Sequence, residues 1–339
     1  MRSVALGALP RRPFAHLPTP LQPAPNLAES LGLRSPLWLK RDDLTGPGLG
    51  GNKVRKLEYL LADAAGQRAD CVVTVGAGQS NHARLTAILG GVAGLEVHLV
   101  LGGGSPVTWE GNLLLDRLAG ATIHVVESED WDRLAETRRE VAEDLRRRGR
   151  HPYEVPMGGS TAVGAMGYVD AFLELLDQLD AAGLDAGWIV HASSTGGTQA
   201  GLLAGRALAG RGPRVFGVDV AKGGPPLRDT VLRIAQESLE RLGSRPAVGP
   251  DEVLTSDFTG ETYGAVTDDA AVVLVRGLRA EGIVVDPVYS AKALAALAPL
   301  ERDGFLGPDQ PIIFLHTGGQ PALFTDRYAA EVLKRGSEG

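Results

Sequence analysis

Short apolar runs that end in a polar, glycine-bearing turn recur along this chain, and a helical pattern follows each. Cys71–Val72–Val73–Thr74–Val75 leads into Gly76–Ala77–Gly78–Gln79–Ser80–Asn81–His82 and a helical stretch from about Asn81 to Val92. Val97–Leu101 precedes a helical pattern near Asn112–Leu118, and Thr122–Val126 precedes a charged one across Asp132–Arg148. Trp188–Ile189–Val190 runs into Ser193–Ser194–Thr195–Gly196–Gly197–Thr198–Gln199–Ala200–Gly201. Val215–Val220 and Ile312–Leu315 continue the pattern, the second ending in His316–Thr317–Gly318–Gly319. Strands alternating with helices predict an α/β chain with parallel sheets covered on both faces. Open sheets of this kind bind ligands at the carboxyl ends of their strands, where these polar turns fall. A length of 339 residues suffices for two domains with sizeable cores. The clearest punctuation is the stretch holding Pro152, Pro156, Gly158 and Gly159.

Charge and cysteine content narrow the function. The net charge is −7 and no basic stripe with interleaved aromatics appears, so no nucleic-acid partner is expected. The one cysteine, Cys71, lies inside a strand run, which excludes an intrachain disulfide and a cysteine-based zinc cluster. No metal is expected, and Cys71 reads as a buried bystander. No run of 18 apolar residues exists, so no membrane span is expected. Val4–Leu9 is short for an export signal and is followed by Pro10–Arg11–Arg12, so cytoplasmic residence is the expectation.

Three segments carry chemistry. Gly50–Gly51–Asn52–Lys53 presents a lysine at a loop-to-helix junction, with Val54–Leu61 continuing as a helix. A buried or cation-flanked lysine loses its proton more readily and becomes a Schiff-base former. Arg55 and Lys56 are the nearby cations, although the segment alone also reads as a solvated basic helix start. Thr195–Gly196–Gly197–Thr198–Gln199 can cradle a phosphate. Glycines admit the anion to the backbone, the next helix turns its N–H groups toward it, and two threonine hydroxyls add donors. Gln79–Ser80–Asn81–His82 exposes N–H groups at a helix start, a setting that suits a carboxylate. Asn81 also reads as a plain helix cap, and His82 as a packed histidine.

Taken together, these segments resemble the fold-type-II pyridoxal-phosphate enzymes. The lysine segment opens with Lys40–Arg41–Asp42–Asp43, and Glu261–Thr262–Tyr263–Gly264 and Asp286–Pro287–Val288–Tyr289–Ser290 add two family tyrosine segments. The resemblance runs from about Leu17 to about Phe324, in the branch of D-cysteine desulfhydrase and 1-aminocyclopropane-1-carboxylate deaminase. It implies two open, parallel-sheet, three-layer domains of the tryptophan-synthase-β type, with pyridoxal 5′-phosphate in the cleft between them. Residues 56–165 would form the small domain, and 1–55 with 166–339 the large one. A homodimer acting on a small amino acid is implied as well.

The resemblance also assigns roles. Lys53 is the expected Schiff-base lysine, with Asn52 against the cofactor and Lys56 beside its phosphate or ring hydroxyl. Thr195, Gly196, Gly197 and Thr198 are expected to grip the phosphate. Gln79, Ser80 and Asn81 are expected to bind the substrate carboxylate, Ser80 doubling as a catalytic hydroxyl and Asn81 as a partner of the cofactor's ring oxygen. Tyr289 and Tyr263 are expected at the reacting carbons, although the family usually has glycine where Thr262 stands. Ser290 and Thr317 are expected near the pyridine nitrogen.

Ser290 and Thr317 also bear on the reaction. The ring-opening deaminase carries glutamate and leucine at these positions. A carboxylate keeps the ring nitrogen protonated, whereas a hydroxyl lacks the counter-charge. The resemblance therefore implies α,β-elimination, with D-cysteine giving pyruvate, sulfide and ammonia. L-cysteate sulfo-lyase and the deaminase are the alternatives within the branch. From other classes, a nicotinamide oxidoreductase is disfavoured because Asn81 replaces the third glycine of the fingerprint and no acid follows Leu99–Val100–Leu101–Gly102. A non-catalytic amino-acid-binding protein would need neither the lysine turn nor the phosphate loop.

Overall fold

The computed structural model describes residues 4–336 apart from 104–107, 129, 246 and 308–309. Ten strands form two sheets among the described residues. They are β1 (Leu21–Pro23), β2 (Leu37–Lys40), β3 (Cys71–Ala77), β4 (Glu96–Gly102), β5 (Thr122–Val126), β6 (Pro152–Glu154), β7 (Trp188–Ser193), β8 (Arg214–Asp219), β9 (Leu254–Asp257) and β10 (Ile312–Leu315). The six-stranded sheet has the order β1-β2-β10-β7-β8-β9, and the four-stranded sheet β5-β4-β3-β6. Pairing is parallel except at one edge, where β1 runs antiparallel to β2. β1, β2, β6 and β9 are short, of three or four residues, and carry little sequence signal, which is why the expected pattern lacks them.

Both faces of each sheet are covered, so the central strands read as unbroken apolar runs. In β10, Ile312 and Phe314 enter one core while Ile313 and Leu315 enter another. In β3, Val72 faces one cluster and Cys71 and Val73 face another. Each fully buried aliphatic chain of this kind contributes about 1.5–3 kcal/mol. Burial pushes the Cys71 thiol up to about 12, consistent with an inert core residue. No described helix is long and apolar enough to cross a membrane.

The lysine-bearing helix, Asn52–Gly66, is set between the two sheets' layers. Val54, Leu57, Leu60 and Leu61 pack into the core of the four-stranded sheet. Its other side carries Arg55, which is buried against Asp42 at 2.8 Å and Glu174 at 2.8 Å. Lys40 reaches Glu174 at 2.5 Å, and the Tyr168 hydroxyl donates to Asp42 at 2.6 Å. Arg55 therefore does not stand beside Lys53 as the local sequence suggested. Residues two apart on a helix point to opposite sides, whereas Lys56, three apart, shares the Lys53 side. The ion network ties the helix to the strand end at Lys40 and to the long helix Ala162–Ala182.

Candidate active site

A cavity of about 250 Å³ opens at the carboxyl ends of β3, β7, β8 and β10. Asn52, Lys53, Lys56, Ser80, Asn81, Thr195–Thr198, Tyr263, Tyr289 and Thr317 all line it. Segments separated by more than 200 residues thus meet at one place because parallel strands end at the same edge.

The turn before Lys53 is built from constrained backbone. Gly50 has φ +64°, and a Cβ there would stand 2.1 Å from the Asp43 carbonyl oxygen, so only glycine fits. The Asn52 N–H donates to the Thr317 carbonyl at 3.0 Å, which joins the lysine turn to the end of β10. Arg84, fully buried, donates to the carbonyls of Gly48 and Gly50 and clamps the same loop. Lys53 Nζ donates to Asn52 Oδ1 at 3.0 Å. Burial brings the Lys53 amine down to about 8; Arg84 pushes the same way and Asp286 opposes. A lysine in this state is a competent nucleophile near neutral pH.

The glycine turn after β7 forms the second part. Gly196 takes the left-handed conformation and caps the helix Gly197–Ala209, whose N-terminus faces the cavity. A Cβ on Gly197 would stand 2.7 Å from Ser160 Oγ and 2.9 Å from Lys56 Nζ, so the cradle closes with anything larger than hydrogen. Ser160 Oγ pairs with Thr195 Oγ1 at 2.7 Å and accepts from the Gly197 N–H at 3.2 Å. Thr198 Oγ1 accepts from Asn52 Nδ2 at 3.1 Å. Burial and repulsion from Lys53 hold the Lys56 amine well below the usual lysine range. An anion at this turn would relieve that repulsion. Two lysines, a helix N-terminus and a glycine cradle together fit a phosphate group.

At the end of β3, Ser80 rather than Asn81 caps the helix Asn81–Val92, accepting from the Ala83 N–H at 3.2 Å. Asn81 Oδ1 accepts from Asn112 Nδ2 at 3.1 Å. His82 pairs with the Thr74 hydroxyl at 2.8 Å, and burial keeps its ring neutral, as a packed histidine. Tyr263 and Tyr289 share a hydrogen bond between their hydroxyls. Burial holds both phenols in the protonated form, raising Tyr263 to about 12 and Tyr289 well above its ordinary value. Lys292 donates to the Thr259 carbonyl at 2.6 Å and anchors the loop that carries Tyr263.

Two expected contacts are placed elsewhere. Gln79 does not line the cavity: its side chain accepts from the Asn112 N–H at 2.8 Å and donates to the Glu110 carbonyl at 3.2 Å. It braces the loop from behind because the helix Gly111–Leu118 begins against it. Ser290 also lies outside the wall. Its hydroxyl donates to Asp286 Oδ1 at 2.6 Å, and the same carboxylate accepts from the N–H groups of Val288, Tyr289 and Ser290. Asp286 thus spends its charge on the turn that presents Tyr289, and Thr317 alone of the expected pair faces the cavity. Sequence reading missed Ser160, Arg84 and Trp131 as contributors. Ser160 follows the Gly158–Gly159 punctuation, but the other two had no local signal.

The cavity brings a lysine of lowered pKa, a glycine turn that fits a phosphate and the helix start at Asn81 into one space. The model of pyridoxal-phosphate-dependent enzymes matches residues 13–318. The chain belongs to that family. It is 37% identical over 327 residues to a D-cysteine desulfhydrase of Salmonella typhimurium, covering 94% of this chain and 97% of the relative. It is 35% identical over 327 residues to a 1-aminocyclopropane-1-carboxylate deaminase of Burkholderia vietnamiensis, covering 94% and 96%. A crystal structure described as an ACC deaminase homologue superposes with a TM-score of 0.90 at 38% identity, covering 97% of each chain. The fold is therefore fold type II, the cofactor is pyridoxal phosphate, and the chain is a lyase of the branch holding both activities.

Proposed function

We propose that this enzyme catalyses α,β-elimination on a β-substituted amino acid, converting D-cysteine to pyruvate, sulfide and ammonia with uptake of one water. The observation that carries the reading is the cavity wall: the described residues lining it are neutral or cationic, and the end of β10 offers the Thr317 hydroxyl. When bound, pyridoxal phosphate supplies an electron sink for charge developing at the substrate α-carbon. No carboxylate among the described lining residues gives a counter-charge to a protonated ring nitrogen. That suffices to expel a thiolate and falls short of opening a cyclopropane.

The chain's own groups divide the remaining work. Lys53, near 8, is matched to take the α-proton around neutral pH and to pass a proton on to the β-carbon of the product after the thiolate has left. Lys56 and Thr195–Thr198 hold the phosphate, and Asn52 and Asn81 stand beside the ring. Ser80 and the helix start at Asn81 receive the substrate carboxylate. Tyr263 and Tyr289, as neutral phenols, donate toward the leaving group.

The test is the ratio of kcat/KM for D-cysteine and 1-aminocyclopropane-1-carboxylate on the purified holoenzyme. D-cysteine should be preferred, with pyruvate and sulfide released in equal amounts. Faster turnover of the cyclopropane overturns the electronic argument. Faster sulfite release from L-cysteate keeps that argument and moves the substrate to the sulfonate.

We also infer a small domain at 56–165 and a large one made of 1–55 with 166–339. The strands of the four-stranded sheet all lie within 71–154, which supports this division. Family resemblance supports a homodimer in the cytoplasm, which light scattering and fractionation would test.

A further inference from the structure

Trp131 lines the cavity, yet none of the chemistry above uses it. It is the first residue of the helix Trp131–Arg147, and Asp130 caps that helix by accepting from the Asp132 N–H at 2.9 Å. One side of the indole packs with Met157 against Val75, Val100 and Leu134, in the core of the four-stranded sheet. Its other side meets Tyr263 edge-on, with ring centroids 5.6 Å apart and planes at 80°. Tyr263 in turn meets Tyr289 in an edge contact at 6.1 Å. Three rings therefore make a continuous aromatic wall from one sheet's core to the other, in the same cavity as Lys53.

We propose that Trp131 is a specificity-determining residue: its indole, braced by the small sheet and set against Tyr263, limits the size of the substrate's β-substituent. A rigid aromatic with only two rotatable bonds sets a firm boundary, because a larger group must displace it from a packed core. The inference rests on the elimination reading for the identity of the side chain it faces, but its test does not.

The test uses the pyridoxal-phosphate-loaded enzyme and three probes in both chiral forms: alanine, S-methylcysteine and S-benzylcysteine. Dissociation constants are read from the change in cofactor absorbance. The parent should bind alanine and S-methylcysteine and discriminate against S-benzylcysteine. Trp131→Ala should shift the benzyl-to-alanine affinity ratio by about tenfold or more toward the large probe. Trp131→Phe should shift it part of the way, and it serves if the alanine variant folds poorly. A second measurement is the parent's tryptophan emission, which should change on alanine binding and lose that response in Trp131→Phe, because Trp38, Trp109 and Trp188 do not line the cavity. An unchanged affinity ratio in both variants overturns the proposal. Binding of the probes without pyruvate from D-cysteine would instead refute the elimination reading and leave the size limit standing.

Discussion

Replacing Gly197 with valine should weaken cofactor binding by more than it destabilises the fold. A Cβ at this position would lie 2.7 Å from Ser160 Oγ and 2.9 Å from Lys56 Nζ, where ordinary contact begins near 3.4 Å. Ser160 Cα stands at 2.9 Å as well, so both polar groups and the Ser160 backbone must retreat by half an ångström or more, and the two γ-carbons extend further into the space meant for the phosphate. The variant loses the contacts of the Lys56 ammonium and of the Gly197 N–H. Hydrogen bonds to charged groups contribute about 1.5–3 kcal/mol each. Losing two weakens cofactor binding by about 3–6 kcal/mol, or roughly 10²- to 10⁴-fold in Kd. The fold pays only the overpacking term, about 1–3 kcal/mol, because Ala200, Leu202, Leu203 and Ala204 keep the helix in its core. Absorbance titration of the apoprotein with pyridoxal phosphate reads the first effect, and thermal melting of the apoprotein reads the second. Gly197→Ala should fall between parent and valine. A valine variant that holds the cofactor as tightly as the parent would refute the assignment of this turn to the phosphate.

Borohydride reduction of the holoenzyme should leave its adduct on Lys53, and an adduct on Lys56 instead would reverse the roles of the two lysines. Reconstitution of the apoprotein should speed up as pH rises through about 8, because burial disfavours the Lys53 ammonium and the neutral amine is the nucleophile. Relative to an ordinary lysine this raises the reactive fraction at pH 7 roughly 300-fold; a midpoint near 10 would contradict the burial argument. Arg55→Met leaves Asp42 and Glu174 buried with Lys40 as their remaining cation, so denaturation should show about 3–5 kcal/mol of lost stability. A loss below 1 kcal/mol would mean the network is solvated. Ser290→Glu brings a second carboxylate against Asp286 in the turn that presents Tyr289. It should lower stability and D-cysteine turnover without conferring cyclopropane opening, and deaminase activity in this variant would show that Ser290 does reach the ring nitrogen.

Much of this enzyme is legible in local sequence because its signals are short-range. The runs at Thr122–Val126 and Ile312–Leu315 form strands with those bounds, and the helix from Asn81 ends at Val92, since apolar periodicity and caps act within a few residues. The lysine turn and the glycine turn after β7 are legible for the same reason: backbone conformation and helix N-termini are local properties, and strand ends in a parallel sheet share one edge. Direction and distant company are not. Arg55 turns away from Lys53 through helical geometry, then finds Asp42 and Glu174 through tertiary packing. Ser290 reads as a site residue, yet the turn pairs it with Asp286, four residues before it, and leaves Thr317 to face the cavity. Trp131 and Tyr263 lie more than 130 residues apart, and no pattern in either segment announces their contact. Such contacts depend on how whole layers pack, so only the tertiary structure decides which polar groups are spent on the scaffold and which remain free to act.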